Sequence, residues 1–479
     1  MSSGTSKNYP HRSIGYALVA GALAFVLANA AQAAQDLKPS PNEYPDSYGN
    51  MTFPDTFPQG TDLTITQWSH FVPRYDKWFD SYAQKWGKVH NVNVTVNHIN
   101  IADLASTLSS AIAAGKGPTM FEMPAPPTAF IDGLRPLNDV NEAAQAAFGK
   151  QASTCSHSSY LPVKDEWYGF CHGWVPDPGD YRVSLWKEAG YPNGPQTYDD
   201  LQKGGAKIYQ KHGIPVGVGM SPEIDSEFYA RALIWSFGGS VQNEDDMSTL
   251  DSDAVLNAIK FQKNLFDTAM TPEVFSWNAA SNNQTYIAGQ TSYIQNSISF
   301  FRSAQDIGAD TAADTGFRPG LKGPNGDVKQ PAHLWFIYTV PKYVPEGPEL
   351  QAAKKFMLDL ENNYSKASYF AKLYNFPAFT SQVPQLFQDG GWLDEDPWGS
   401  QPADKLQLLK SAENWTAWLG YPGYANPAVA EVYQSHIISS MMANVARGEK
   451  TPEQAVKDAG DEVKAIFKKW REKGYLKGG

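Results

Sequence analysis

Residues 63–123 read LTITQWSHFVPRYDKWFDSYAQKWGKVHNVNVTVNHINIADLASTLSSAIAAGKGPTMFEM. Short runs rich in β-branched and apolar residues alternate here with longer segments whose apolar side chains recur every three or four positions. The runs predict strands and the longer segments predict helices, in the order strand 63–68, helix 75–89, strand 92–96, helix 101–114 and strand 119–123. Alternation of this kind predicts an α/β fold, with a parallel sheet covered by helices.

The same alternation continues toward the C-terminus, and no internal repeat interrupts it. The apolar run LWFIYTV at 334–340 predicts a fully buried strand. The other predicted elements are a strand at 166–170, a strand running into a short helix over 181–189, and helices at 199–212, 228–237, 251–268, 350–362, 427–446 and 452–473. The Pro-rich stretch 34–60 shows neither period, which predicts an extended arm or linker.

Composition restricts the function classes. The 479 residues carry 39 Lys and Arg against 50 Asp and Glu, a net charge of −11, with 42% hydrophobic and 13% aromatic residues. This is typical of a folded acidic protein of two or three domains. No run of basic residues is present, which argues against a nucleic-acid partner.

The N-terminus has the pattern of a secretory leader. Lys7 and Arg12 precede an apolar stretch, IGYALVAGALAFVLANA at 14–30, and Ala31-Gln32-Ala33 follows. Small residues at these last positions suit a signal peptidase, and the apolar run is shorter than a bilayer-spanning helix requires. We therefore predict a signal peptide at 1–33, export, and a periplasmic location.

The chain has two cysteines, Cys155 and Cys171. In an oxidising compartment they are expected to form a disulfide, which the chain-entropy model values at about 3 kcal/mol for a loop of this length. The rival interpretation is a metal site with His157 and His172, but the spacing matches no familiar zinc pattern. No metal and no cofactor are predicted.

Several motifs, in their order and spacing, resemble the extracellular solute-binding proteins of ABC importers, family 1. The resemblance covers about residues 63–474. The motifs are LASTLSSAIAAGKGPTMFEM (104–123), LRPLND (134–139), WYG (167–169), LWKEAG (185–190), QTYDDL (196–201), FGG (237–239), IAGQTSY (287–293), and ARG (446–448) with TPEQA (451–455). The chain departs from the family pattern at Thr119, where Asp is usual, and at Ser292-Tyr293, where Ala-Met is usual, and both positions are expected to adjoin the ligand cleft.

The resemblance implies a bilobal periplasmic-binding-protein fold, in which two α/β lobes are joined by hinge crossings. After the arm at 34–60, lobe 1 is expected to comprise 61–172 plus about 332–380, and lobe 2 to comprise 173–331 plus about 381–479. It also implies a monomer that binds a carbohydrate or polyol between the lobes and delivers it to the permease subunits of an ABC transporter.

The ligand site is expected outside the carboxyl ends of the strands. Sugars and polyols present C–H faces and hydroxyls, so the site should combine aromatic rings with polar side chains. Trp68, Trp174 and Asn296 are the strongest candidates because each follows a strand or a family motif. The full set of candidates is Trp68, Ser69, His70, Glu122, Met123, His172, Trp174, Asn296, Ser297, His333, Trp335 and Tyr424.

Structural roles compete with these assignments. Trp335 lies within an apolar strand and is as readily a core residue, and His172 fits a hydrogen-bonded hinge position. Trp235 is assigned to the core. The acidic runs at 244–246 and 251–253 lack the glycine and glutamate spacing of a calcium loop and are assigned to the surface.

Other function classes have less support in the sequence. The chain has no G-x-S-x-G, H-E-x-x-H, Walker A or dinucleotide motif. A pair of catalytic carboxylates could hide among the 50 acids, so an exported glycosidase stays an alternative, which an assay for sugar release would separate. A protein that binds a non-sugar solute, or one that signals to a membrane receptor, would share the fold.

We predict cleavage after Ala33 on export. N-terminal sequencing of protein recovered from the periplasm should therefore begin at Ala34. A mature protein that keeps its first 33 residues would contradict the prediction.

Overall fold

The computed structural model describes residues 37–478, apart from 325 and 327, together with Met1. The predicted signal peptide and its cleavage point lie outside the described stretch.

The first lobe is built on a six-stranded sheet. Its strand order is 376–377, 170–175, 334–339, 120–123, 61–68, 92–99. The strand Thr61–Trp68 pairs in parallel with both of its neighbours, as the alternating pattern predicts, whereas Leu334–Thr339 is antiparallel to the strands on either side of it. The sheet is therefore mixed, because the chain returns from the second lobe in the opposite direction.

The second lobe is built on a smaller antiparallel sheet, in which Gly179–Arg182 lies between Tyr293–Gln295 and Thr315–Arg318. The chain leaves the first sheet at Val175 and enters the second at Gly179. It returns through Gln330–Pro331. The predicted lobe boundaries stay predictions, but both crossings bring the ends of the two sheets together.

The described residues also contain short strands and numerous helices. The remaining strands are Ser47–Tyr48, Met51–Thr52, Tyr160–Leu161, Glu166–Trp167 and Thr416–Ala417. The α-helices are Pro73–His90, Leu104–Ala114, Asn138–Phe148, Ser153–Ser159, Val183–Glu188, Tyr198–His212, Ile224–Ser236, Asp253–Ala269, Ser281–Ile287, Ser299–Asp306, Asp310–Ala313, Pro348–Asn362, Tyr364–Phe370, Pro384–Phe387, Ala412–Trp415, Pro427–Gln434, Ile437–Ala446 and Pro452–Glu472. Short 3-10 helices cover Ile101–Asp103, Pro127–Gly133, Pro272–Ser276, Thr380–Gln382 and Gln407–Ser411.

Local chemistry explains why the helix Tyr198–His212 tolerates two central glycines. Thr197 and Asp200 form a reciprocal capping box that fixes its start. A Cβ on Gly204 would lie 2.4 Å from the ring of Trp186, so only glycine lets the helix approach that ring.

Two predicted elements are divided. The predicted strand at 166–170 is two strands, Glu166–Trp167 and Phe170–Val175. The predicted helix at 427–446 is interrupted at His436, whose φ of 50° takes the chain out of the right-handed helical region.

The Pro-rich arm is folded onto the first lobe, and its only regular structure among the described residues is the pair of two-residue strands at 47–48 and 51–52. The Tyr48 hydroxyl donates to Asp359 at 2.6 Å, and the Lys355 ammonium donates to the Pro45 carbonyl at 2.8 Å. Trp86 Nε1 also donates to the fully buried Asp359, at 2.6 Å. Of the two alternatives, an arm or a linker, the described residues behave as an arm that helps to satisfy a buried carboxylate of the first lobe.

The disulfide between Cys155 and Cys171 is present, as predicted, with Cα atoms 5.5 Å apart. It joins the helix Ser153–Ser159 to the strand Phe170–Val175. Since the cysteines bond to each other, they are not available to the rival metal site.

No helix among the described residues has both the length and the apolarity needed to span a bilayer.

We predict that Tyr48→Phe lowers the free energy of unfolding by about 1–3 kcal/mol, because a buried carboxylate would lose a hydrogen-bond donor. Urea denaturation measures the change. Tyr44→Phe is the matched control, since that hydroxyl accepts from Asn42 on the same arm. Equal effects of the two substitutions would contradict a specific role for Tyr48.

Candidate functional site

The two crossings are tied together by a buried hydrogen bond. Asp177 follows the outgoing strand, and His333 precedes the returning strand. His333 Nδ1 and Asp177 Oδ1 lie 3.0 Å apart, and Gln295 Nε2 donates to the other oxygen of Asp177 at 2.6 Å. Burial acts to lower the pKa of His333, but the charges of Asp225 and Asp177 and the hydrogen bond to Asp177 raise it overall.

Two further carboxylates of the second lobe are buried near this pair. Asp225 Oδ1 lies 3.8 Å from His333 Nδ1, and Asp225 Oδ2 accepts from Asn282 at 2.7 Å. Burial raises the pKa of Asp225 to about 6. Asp180 is fully buried, and burial with the neighbouring charge of Asp177 raises its pKa well above the usual value.

The first lobe presents His70, Tyr374 and Asn375 to the second lobe. The rings of His70 and Tyr374 lie 5.0 Å apart, and His70 Nε2 lies 2.8 Å from Asn375 Oδ1. Burial raises the pKa of Tyr374 well above its ordinary value, and the charges of Asp225 and Asp177 add to the effect. Tyr374 is thus close enough to the carboxylates of the second lobe for their charges to act on it. We call Asp177, Asp180, Asp225, His333, His70, Tyr374 and Asn375 the interlobe cluster.

His70 is held in its neutral form. The backbone N–H of Val72 donates to His70 Nδ1 at 2.9 Å, so that nitrogen accepts and Nε2 carries the proton toward Asn375. Burial lowers the pKa of His70 to about 3. The first lobe therefore brings a neutral imidazole to the carboxylates.

Arg302 links the lobes beside Tyr374. It lies on the helix Ser299–Asp306 and donates from Nε to the Lys372 carbonyl at 2.8 Å. Its terminal nitrogens donate to both oxygens of Asp396, at 2.6 and 3.1 Å. Because both side chains are buried, this bidentate pair holds the Arg302 side chain in position for its bond to the Lys372 carbonyl of the first lobe.

Several polar atoms in and beside the interlobe cluster have no hydrogen-bond partner in the described protein. These atoms are Trp68 Nε1, the Tyr374 hydroxyl, Asn375 Nδ2, Asp225 Oδ1 and both side-chain oxygens of Asp180. Leaving such groups unpaired costs about 1–3 kcal/mol each, and more for charged groups. A buried surface with both donors and acceptors to spare is chemically suited to a polar ligand.

Four of the predicted site residues lie where the lobes meet. His70 and His333 belong to the interlobe cluster, and Ser297 lies beside Tyr374. Asn296 Oδ1 accepts from the backbone N–H of Ser297 at 2.7 Å, and both residues are buried.

Trp68 and Trp174 have different surroundings. Trp68 is 1% exposed and packs between rings, 4.9 Å from His70 and 5.8 Å from Phe336. The Trp174 ring lies 5.5 Å from Phe376 and lines a separate cavity of about 250 Å³ with Phe387. Neither indole is the open cleft aromatic that the sequence suggests.

Glu122, Met123 and His172 are buried in the first lobe. Glu122 Oε1 lies 3.0 Å from His172 Nε2. The His172 ring stacks 4.6 Å from Tyr338 and lies 5.6 Å from Tyr364, both first-lobe residues. These contacts fit the hydrogen-bonded structural position that the sequence also allowed for His172. Glu122, its partner, is buried at the same place.

The remaining candidates are dispersed. Ser69 is exposed, and Trp335 is fully buried with its indole N–H donating to Thr154 at 3.0 Å. Tyr424 stacks 4.2 Å from His157, away from the residues named above. His157 also stacks on Trp418, with ring centroids 3.9 Å apart.

Thr119 does not adjoin the cleft. It precedes the strand Met120–Met123, so it lies at the amino end of the parallel strands, and its hydroxyl donates to Glu349 at 2.6 Å. Its departure from the family pattern therefore concerns a contact between a strand and a helix.

Sequence reasoning missed Asp177, Asp180, Asp225, Tyr374 and Asn375. Asp177 and Asp180 lie in PDPGD at 176–180, whose Pro and Gly residues indicate a turn. The signal available in the sequence was this pair of acids, directly after the strand that leads into the crossing. Tyr374 and Asn375 follow a helix end without any motif, so only the fold brings them to the site.

No group of three or more His, Cys, Asp or Glu side chains in the described residues is arranged to hold a metal ion.

Comparison with known proteins gives a family match over most of the chain. The model of a family described as bacterial extracellular solute-binding protein matches residues 77–403. Binding proteins of Brucella abortus and Brucella suis are 33% identical over 99 residues, which is 20% of this chain. The chain spans 24% of the length of these curated relatives.

Solved structures share the fold across 85% of the chain. The maltose-bound MalE3 of T. maritima has a TM-score of 0.70 at 19% identity, with 99% of that chain covered. A sugar transporter protein of Arthrobacter chlorophenolicus A6 with bound laminaribiose has a TM-score of 0.69 at 16% identity, also with 99% covered. An ABC transporter solute-binding protein of Agrobacterium radiobacter K84 in complex with ribitol has a TM-score of 0.69 at 15% identity, with 85% and 99% of the two chains covered. The bilobal fold is therefore shared with these proteins.

We predict that His70 makes the protein labile to acid. The unfolded chain binds a proton at an ordinary histidine pKa of 6.5, whereas folded His70 does so near 3, so stability falls as the pH drops below 6.5. Between pH 7 and pH 5 the free energy of unfolding of the wild type should fall by about 2 kcal/mol more than that of His70→Gln.

Urea denaturation at the two pH values measures the difference, and His212→Gln, on the exposed surface beside Glu188, is the control. If His70→Gln keeps the wild-type dependence on pH, His70 is not the group responsible.

Proposed function

The chain belongs to the bacterial extracellular solute-binding proteins, and on that premise we propose that it is the periplasmic binding component of an ABC importer, which holds a carbohydrate or polyol between its lobes. The observation that carries the proposal is the buried interlobe surface with unpaired donors and acceptors from both lobes. Hydroxyl groups can both donate and accept hydrogen bonds, so a polyol can satisfy each kind of atom.

The ligands named for similar structures support this class. They include maltose, laminaribiose and ribitol, each bound by a protein of the same fold. In this chain the donors would be Trp68 Nε1 and Asn375 Nδ2, and the acceptor Asp225 Oδ1. Asn296 and Ser297 line the second-lobe side. Aromatic stacking is assigned a smaller part than the sequence suggested, because the faces of Trp68 are packed against protein rings.

Delivery requires the lobes to close on the ligand. A ligand that contacts both lobes stabilises the closed form by its differential affinity for the two forms. We propose that the closed, loaded monomer then docks on the permease subunits and performs no chemistry itself, so incubation with oligosaccharides should release no sugar.

We predict that at least one sugar or polyol raises the melting temperature, because it binds the folded state alone. The panel contains maltose, laminaribiose, tagatose and ribitol. For the ligand that stabilises most, Asn296→Ala should weaken binding at least tenfold in calorimetry, since it removes an amide at the lobe interface.

Asn93→Ala is the matched control, because Asn93 bonds with Asp62 on the far edge of the first lobe and should leave the affinity unchanged. Equal affinities of Asn296→Ala and wild type would remove Asn296 from the site. If every sugar and polyol fails while another class of solute stabilises the protein, the carbohydrate assignment is wrong and the binding role stands.

A further inference from the structure

We propose that the interlobe site takes a solute that carries a protonated amine, such as an amino sugar or a polyamine. This inference rests on the proposed binding role of the cleft and specifies the chemistry of its ligand. It follows from the charges, the unpaired atoms and the surroundings of the interlobe cluster.

Three buried carboxylates of the interlobe cluster have few basic side chains near them. Asp177, Asp180 and Asp225 are 1%, 0% and 8% exposed. Among the described residues, the basic side chain within 4.0 Å of any of these carboxylates is His333, and no Lys or Arg comes so close. A single imidazole therefore faces three buried acids, and a fourth acid, Glu223, lies close by and accepts from the backbone N–H of Asp225 at 2.8 Å.

The three carboxylates differ in how many of their oxygens are hydrogen-bonded within the protein. Asp177 uses both oxygens within the protein, on His333 and Gln295. Asp225 uses one oxygen, on Asn282, and keeps Oδ1 free. The Asp180 oxygens have no side-chain partner, and the backbone N–H of Asn296 is the protein donor that acts on this carboxyl. Within the interlobe cluster, the second-lobe atoms without a side-chain partner are thus carboxylate acceptors, and a cationic donor is a stronger partner for Asp225 Oδ1 than a neutral one.

The first-lobe surface opposite these carboxylates adds no positive charge. His70 donates to Asn375 and is held neutral by Val72, so it adds no positive charge. Arg302 pairs with Asp396, and Arg231 pairs with Glu227 through one terminal nitrogen while its Nε and other terminal nitrogen have no partner among the described residues. Asn375 Nδ2, on a residue that is fully buried and next to Tyr374, has no partner and gives the first lobe a free donor for a hydroxyl or carbonyl of the same ligand.

These features distinguish an amine from a hydroxyl. Burying unpaired carboxylates is costly, and they reduce the cost by binding protons, which is why burial raises the pKa of Asp225 to about 6 and that of Glu223 to about 8. An ammonium group supplies the missing positive charge together with up to three donors. A hydroxyl supplies one donor and no charge, so it leaves the imbalance in place.

A matched-pair binding screen tests the inference. The pairs are glucosamine with glucose, galactosamine with galactose, the glucosamine dimer with cellobiose, and putrescine with 1,4-butanediol. Each compound is titrated into the whole mature protein by calorimetry at pH 7.5. We expect the amine of at least one pair to bind at least tenfold more tightly than its hydroxyl counterpart.

The part played by Asp225 is tested with Asp225→Asn, which keeps an oxygen for Asn282 and removes the charge. It should reduce the preference for the amine about tenfold, whereas Asp199→Asn, on the exposed surface of the same lobe, should not. For the wild type at pH 5.5, where most of Asp225 is protonated, amine binding should also release protons as Asp225 ionises, seen as different heats in acetate and MES buffers. This second measurement does not depend on any variant.

The outcomes separate the two proposals. If neutral sugars bind as tightly as their amines or more so, the inference is overturned and the carbohydrate-binding role stands. If putrescine binds and no sugar does, the inference stands and the carbohydrate class is lost. If no compound of either kind binds, both are overturned.

Discussion

The hydrogen bond between His333 and Asp177 ties the two interlobe crossings to each other. Each residue lies next to the first-lobe strand that begins or ends its crossing, and both are buried. Removing one partner of a buried ion pair leaves a charge without compensation and typically costs 3–5 kcal/mol. The crossings are therefore held together where they pass between the lobes, and Asp225, Gln295 and Tyr374 take their positions around this bond.

The buried polar groups of the protein fall into two kinds. Asp359 is fully paired, by Tyr48, Trp86 and Lys355, and it anchors the N-terminal arm to the first lobe. Asp225 and Asp180 are not fully paired, although they are as deeply placed. Glu361, fully buried on the helix Pro348–Asn362, also lacks a side-chain partner, so the position of Asp225 between the lobes, and not the missing partner alone, favours a role in ligand binding.

The sequence predicts the periodic elements well because burial repeats along them. The helix expected at 75–89 spans Pro73–His90, and the strand expected at 334–340 spans Leu334–Thr339. Among the site residues, the sequence predicts His70, His333, Asn296 and Ser297, each of which follows or precedes a strand. It does not predict that Trp68 is covered by His70 and Phe336, or that Tyr374 faces Asp225, because both depend on which distant segments meet in space.

The first-lobe side of the site also depends on the second lobe. Lys372 and Leu373 have φ angles of 52° and 67°, in the left-handed region that residues with side chains rarely adopt. Such conformations persist when their surroundings fix them. Here the Lys372 carbonyl accepts from Arg302 of the opposite lobe, and Tyr374 and Asn375 follow directly. The contact that joins the lobes therefore also holds the segment that presents these two side chains, so lobe closure and assembly of the ligand site are coupled through one short stretch of backbone.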